Sequence, residues 1–213
     1  DVKILHAVES GSRAWGFESE DSDYDVRFIY VRCKDDYLTL VPKRDVIEWQ
    51  LDDVMDINGW DIKKTLKLIQ NNNVTPYEWS VSPIVYRTTE AWTRVARFAH
   101  EQYDLRTMFA HYLSIAKDQY AKNISSQSRV YLKKYLYVLR PLFAAMWIAD
   151  RGEKPPIVFE KLSVACSETA LQEIIAQIIH NKKRSKERDT CDRFEELDRY
   201  ICLELEKLER RST

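Results

Sequence analysis

Three aspartates, Asp21, Asp23 and Asp25, stand at alternate positions in the stretch GSRAWGFESEDSDYDVRFIYV. Just ahead of them come Gly11-Ser12 and Gly16, and the whole chain has only four glycines. Two chemistries suit such carboxylates. One is a calcium loop, which needs glycine at its sixth position and a bidentate glutamate at its twelfth. Counting from Asp21, those places hold Val26 and Arg32, so that reading fails. The other puts Asp23 and Asp25 at the mouth of a strand, where residues i and i+2 project to one side. Two carboxylates about 4 Å apart repel by about 4 kcal/mol at an effective dielectric of 20, and a cation between them removes that cost. All-oxygen ligands suit Mg²⁺. Two such ions about 3.5–4 Å apart can activate a hydroxyl and stabilise a leaving pyrophosphate.

The preceding turn suits the same chemistry. Glycine lets a backbone come close to a phosphate, turn N–H groups form an anion nest, and Ser12 adds a hydroxyl. The bland alternative for DSDYD is a polar hairpin turn with Asx caps, which Asp21 fits. A third carboxylate is expected from a neighbouring strand. Asp56, between Met55 and Ile57, is the candidate, and Asp61 competes although a helix N-cap already accounts for it. Asp52 and Asp53 read as turn residues.

These groups need a frame. Residues 4–8, 26–31, 45–51 and 54–58 read as strands, the first ended by Gly11 and the last by Gly59. Asp61 can cap a helix carrying Ile62, Leu66 and Ile69, ended by Asn71, Asn72 and Asn73. Beyond Thr89 the pattern is helical. Asp104 can cap a helix from Leu105, Ser128 one from Arg129 and Ser167 another. Pro141 should kink or break the second of these. Gly152 with Pro155-Pro156 makes a turn. Residues 181–189 form a polar connector, and Phe194, Leu197, Ile201, Leu205 and Leu208 make the stripe of a last helix. The expected class is α+β: a small mixed sheet over residues 1–88, then an all-helical domain over 89–213, with the site between them.

Composition narrows the function classes. The chain has 213 residues, 45% hydrophobic and 31% charged, an ordinary globular balance. No apolar run approaches the length of a membrane span, and DVKILHAVES lacks the basic and long apolar regions of a signal peptide. Cys33, Cys166, Cys191 and Cys202 form no CxxC, which reads as reduced thiols in a cytoplasmic protein. His6, His100, His111 and His180 form no zinc pattern. The net charge of −1 hides an asymmetry. Residues 1–88 hold 11 Lys and Arg against 16 Asp and Glu, and residues 89–213 hold 22 against 18. An acidic part could hold cations and a basic part phosphates. In the helical phase of RVYLKKYLYVLR, Lys133, Tyr137 and Arg140 form a cation–aromatic–cation stripe, suited to a triphosphate and a stacked base or to a solvated helix face. Lys134 and Tyr135 are substitutes. The basic run at residues 182–188 reads as a solvated connector in preference to a nucleic-acid contact.

Gly-Ser, ten residues, then Asp-x-Asp resembles the signature of the DNA polymerase β-like nucleotidyltransferases. ESGSRAWGFESEDSDYDVRFIYV, DINGWDIKKTLKLIQNNN, EWSVSPIVY and LKKYLYVLRPLFAAMWI together resemble the RNA repair pathway DNA polymerase β family. That resemblance implies transfer of a nucleoside monophosphate from an NTP with release of pyrophosphate, and two Mg²⁺ ions or Mn²⁺. It implies Asp23, Asp25 and Asp56 as catalytic metal ligands, with Asp56 the base. Gly11, Ser12, Arg13, Ser22, Lys133, Tyr137 and Arg140 are implied as nucleotide-binding. An RNA end is the implied acceptor. The alternative is an antitoxin-like or regulatory relative that modifies or binds a protein partner. Members of that family usually carry a helix before the first strand, and this chain begins at the strand, which reads as a trimmed start.

Overall fold

The apolar run after Asp1 forms β1 (Val2–Glu9), and VRFIYV lies in β2 (Tyr24–Arg32). With β3 (Val46–Gln50), β4 (Met55–Asp61) and β5 (Val85–Thr88) they make a five-stranded mixed sheet in the order β3-β4-β2-β1-β5. β2 and β4 run parallel, and every other pair is antiparallel. The computed structural model describes residues 1–50, 52, 54–166, 168–184 and 189–212. The expected cap Ser167 and the turn residue Asp53 lie outside the described residues.

Short helices fill the connections: α1 (Gly11–Trp15), α2 (Lys34–Tyr37), α3 (Ile62–Gln70), α4 (Val74–Ser80) and α5 (Glu90–Gln102). One sheet face buries Leu5, Val8 and Ile29 against Trp79 of α4 and Trp92 of α5. The β1 register shifts between Ile4 and His6. This bulge turns Leu5 and His6 together toward the helices, where His6 stacks on Trp92 at 5.1 Å. The other face gathers Ala7, Phe28 and Tyr30 with Ile4, Ile47 and Ile57.

β4 continues through Gly59 to Asp61, so Gly59 does not end the strand. The ring of Phe28 lies where a side chain at position 59 would sit, with a Cβ 2.1 Å from the ring. Asp61 caps α3 as expected, accepting from the Lys63 N–H at 2.8 Å. Asn71 and Asn72 end that helix, and Asn73 caps α4, which the sequence reading did not foresee.

By internal packing the chain divides into Asp1–Ala14 with Asp23–Asp104, and Trp15–Ser22 with Leu105–Thr213. The boundary expected after residue 88 therefore moves to Asp104. α5 belongs with the sheet because its N-cap Thr89 donates to the Leu5 carbonyl at 2.9 Å and Trp92 is 2% exposed in the sheet's core.

The second unit holds α6 (Leu105–Tyr120), which continues into a π-turn at Ala121–Ser125, then α7 (Leu132–Arg151), α8 (Phe159–Ser163), α9 (Thr169–Arg184) and α10 (Glu195–Ser212). It is not wholly helical. β6 (Arg129–Tyr131) pairs with β7 (Thr190–Asp192), so Ser128 caps nothing and the helix expected at Arg129 starts at Leu132. Pro141 does not break it. Leu139, Leu142 and Phe143 are fully buried around the proline, and that burial, at about 1.5–3 kcal/mol per large side chain, exceeds the roughly 3 kcal/mol a mid-helix proline costs. Gly152 closes α7 in the left-handed conformation. Leu197, Ile201, Leu205 and Leu208 bury the α10 stripe. Residues 181–184 belong to α9 and not to a connector, and Lys182 is 2% exposed; residues 185–188 lie outside the described residues. Among the described residues no helix is long and apolar enough to cross a membrane.

Candidate active site

The parallel register of β2 and β4 sets Asp25 directly opposite Asp56. Arg27, two residues along β2, lies on the same face. Its Nη2 donates to Asp25 Oδ1 and Asp56 Oδ2, each at 2.7 Å, and its Nη1 donates to the Asp56 carbonyl at 2.9 Å. The cation between these carboxylates in the structure is thus a guanidinium. Arg27 and Asp25 are the better covered partners, at 17% and 29% side-chain exposure, and Asp56 is 57% exposed.

Burial pushes the Asp25 carboxyl up from the ordinary carboxylate range, the Arg27 charge opposes this, and the charges of Asp56, Glu9 and Asp23 add to the rise. Glu9, 1% exposed at the end of β1, is a fourth carboxylate that the sequence reading passed over. Its Oε1 accepts the Asp25 N–H at 2.8 Å and its Oε2 accepts the Tyr86 hydroxyl at 2.5 Å. Burial, then the bond to Glu9, push the Tyr86 hydroxyl up. A glutamate closing an apolar strand just before Ser10-Gly11 was the available signal.

Gly11 is where the turn and the carboxylate meet. Its φ is +60°, and a Cβ there would lie 1.9 Å from Asp25 Oδ2. The Ser10 N–H donates to the Asp25 carbonyl at 2.9 Å. Ser12 is buried in α1. Arg13 places its guanidinium carbon 3.8 Å from the Tyr24 ring centroid and donates from Nε to the Asp23 carbonyl at 3.2 Å. Asp23 is exposed at the strand mouth. Gly11, Arg13, Asp23, Asp25 and Asp56 thus come together in the sheet unit. Asp61 does not join them: it sits five residues beyond Asp56, occupied with its helix cap and the Tyr37 hydroxyl.

The remaining candidates belong to the helical unit. Ser22 is 1% exposed, its hydroxyl accepting the Ser19 N–H at 3.0 Å within a closed turn. Trp15 and Phe17 lie among residues of α7: the Arg140 guanidinium carbon is 3.9 Å from the Trp15 ring centroid, and Tyr137 meets Trp15 edge-on at 5.9 Å. Lys133 lies one turn before Tyr137 and is partly exposed. Lys134 Nζ lies 5.6 Å from the Tyr137 ring centroid. Tyr135 is committed to the core, donating to Asp198 at 3.1 Å.

Fit to a divalent metal follows from the donor set. Asp23, Asp25 and Asp56 offer oxygen alone, which suits a hard cation. A positive group already stands between Asp25 and Asp56. Among the described residues no three acidic, histidine or cysteine side chains are gathered as metal ligands.

A nucleotidyltransferase-like protein from Exiguobacterium sibiricum 255-15, solved at 1.90 Å resolution, aligns with 100% of this chain and 69% of its own at 13% identity and a TM-score of 0.34. The uncharacterized protein YcgL of Bacillus subtilis (strain 168) is 40% identical over 211 residues, spanning 97% of this chain and 80% of that protein. A family model, the RNA repair pathway DNA polymerase beta family, matches residues 1–213. The chain belongs to that family.

Proposed function

We propose that the protein is a nucleotidyltransferase that moves a nucleoside monophosphate from an NTP to an acceptor hydroxyl. The observation that carries this is the Asp25–Asp56 pair, set opposite one another by the β2–β4 register beside Gly11. In the transfer, the acceptor oxygen bonds to the α-phosphorus, the bond to the bridging oxygen breaks, and pyrophosphate leaves. The acceptor proton passes to a carboxylate, for which Asp56, the most exposed of the pair, is suited. Asp23, Asp25 and Asp56 would hold Mg²⁺. When bound, the metal neutralises the phosphates and lowers the pKa of the attacking hydroxyl. The Gly11-Ser12 turn and Arg13 would take phosphate oxygens. The family's description names an RNA repair pathway, which makes an RNA end the acceptor to test. The test is label transfer from α-³²P-NTP to RNA ends, with Asp23→Ala and Asp25→Ala as variants. The wild type should transfer label and release pyrophosphate, and both variants should lose this. Undiminished transfer in the variants would sink the reading.

A further inference from the structure

A cavity of about 450 Å³ lies in the sheet unit at the far ends of β2 and β4, bounded by Arg32 and Asp61. Arg32 lies seven steps along β2 from Asp25, about 23 Å at about 3.3 Å per residue. It is therefore separate from the Asp25–Asp56 pair. Its charge runs against its surroundings. Six of the eleven basic residues among residues 1–88 line it: Arg32, Lys43, Arg44, Lys63, Lys64 and Lys67. Three carboxylates face them, Asp36, Asp45 and Asp61, leaving a net charge of +3 in an acidic part of the chain.

The carboxylates are already engaged. Asp36 accepts from Lys43 at 2.5 Å, and Asp45 lies 3.5 Å from Lys64. Asp61 spends one oxygen on the Lys63 N–H and the other on the Tyr37 hydroxyl. Arg44 pairs with Glu48. Among the described residues Arg32, Lys63 and Lys67 make no direct ion pair with a carboxylate, and Arg32 reaches Asp36 only through its longer-range charge. Arg32 donates to neutral oxygens only, the Arg44 carbonyl at 3.1 Å and the Tyr30 hydroxyl at 3.4 Å. Three such cations around one concavity repel one another unless an anion joins them. Beside it, the 38–42 loop that supplies Thr39 and Pro42 to the wall exposes Leu38, Leu40 and Val41, at 71%, 102% and 79%. Charge for clustered phosphates beside an apolar rim fits a nucleotide: phosphates with a flat, weakly polar base attached.

We propose that this cavity is a second anion site that binds nucleotide phosphates, either of a free nucleoside triphosphate or of a polynucleotide strand. The site stands independently of the transfer reaction.

The test measures binding of metal-free ATP, and of a short RNA with and without a 5′-phosphate, by calorimetry at low salt. The wild type is compared with Lys63→Ala/Lys67→Ala, with Arg32→Gln, and with Asp25→Asn. Lys63 and Lys67 are exposed, so their loss leaves the fold intact, as circular dichroism verifies. The cavity variants should weaken binding about tenfold or more, and Asp25→Asn should not. Tighter binding of ATP identifies the free nucleotide as the source, and tighter binding of RNA identifies the strand. Unchanged affinity in all cavity variants, or no binding by the wild type, overturns the proposal. Affinity that the cavity variants leave unchanged and that Asp25→Asn alone alters places the phosphates at the carboxylate pair and also overturns it. Failure of label transfer with cavity binding intact counts against the transferase reading alone.

Discussion

Gly11→Ala separates two costs that the structure superimposes at one residue. Alanine at φ +60° adopts a left-handed conformation at about 1–2 kcal/mol. Its Cβ would also stand 1.9 Å from Asp25 Oδ2 and 2.8 Å from Cγ, so the carboxylate must turn out of its rotamer and release Arg27. An off-rotamer side chain costs about 0.5–1.5 kcal/mol, and the partly covered ion pair adds about 1 kcal/mol. Gly11→Ala should therefore destabilise by about 2.5–4.5 kcal/mol. In an Asp25→Ala background only Cβ remains, 3.3 Å away, and the cost should fall to the backbone strain alone. The four proteins form a double-mutant cycle with an expected coupling of about 1.5–2.5 kcal/mol. Urea unfolding, followed by circular dichroism of the Trp60–Trp79 pair at 4.1 Å in the same unit, measures it. Additive effects would refute the placement of Asp25 over Gly11.

Arg27→Met should remove the cation shared by Asp25 and Asp56 and drive the Asp25 carboxyl further up, readable by carboxyl NMR titration. With that pKa raised, the folded state binds the proton more readily than the unfolded chain, so the loss at neutral pH, about 1–3 kcal/mol, should shrink as pH falls through the Asp25 pKa; a loss constant with pH would contradict this. His6 is 4% exposed, donates from Nε2 to the Trp79 carbonyl at 3.1 Å, and is held by burial below its ordinary 6.5. The unfolded chain takes up this proton first, so stability should be flat above about pH 6.5 and fall below it, by at most about 1.4 kcal/mol per pH unit from this group. His6→Phe should flatten that slope, and an unchanged urea midpoint–pH profile would exclude the assignment. Asp198→Ala leaves Tyr135 and Arg193 without their shared acceptor, whose oxygens lie at 3.1 and 2.6 Å, and should cost about 2–4 kcal/mol in chemical denaturation; a cost under about 0.5 kcal/mol would be inconsistent with a buried network.

What could be read without the structure was local. The runs at β1, β2 and β4 carry strand composition, Asp61 caps the helix that follows it, and the α10 stripe is buried along its length. What could not be read depended on partners distant in sequence. RVY near Arg129 has helical periodicity but pairs with Thr190–Asp192, some sixty residues away. Gly59 is punctuation by composition, and only the Phe28 ring across the β2–β4 ladder shows why the strand passes through it. Asp25 and Asp56 could be nominated as a pair. Arg27 between them could not, because its role depends on a parallel register that no local pattern encodes.

The same distinction explains the ten residues between Gly11-Ser12 and Asp23. As a sequence, ESEDSD is turn chemistry, and the interval reads as a loop joining two strands. Within the structure, Trp15–Ser22 packs as part of the helical unit, while Asp1–Ala14 and Asp23 onward pack as part of the sheet. Phe17 is fully buried against Phe159, Trp15 stacks under Arg140, and the Ser19 hydroxyl accepts from the buried Lys182 at 2.5 Å. Two ends of this interval are also fixed, by Gly11 under the Asp25 carboxylate and by Arg13 on the Asp23 carbonyl. The interval thus divides its packing: Gly11 and Arg13 are fixed within the sheet unit, and Trp15, Phe17 and Ser19 within the helical unit. Its polar residues supply the turn, and Trp15 and Phe17 supply aromatic packing that a loop reading of ESEDSD does not anticipate.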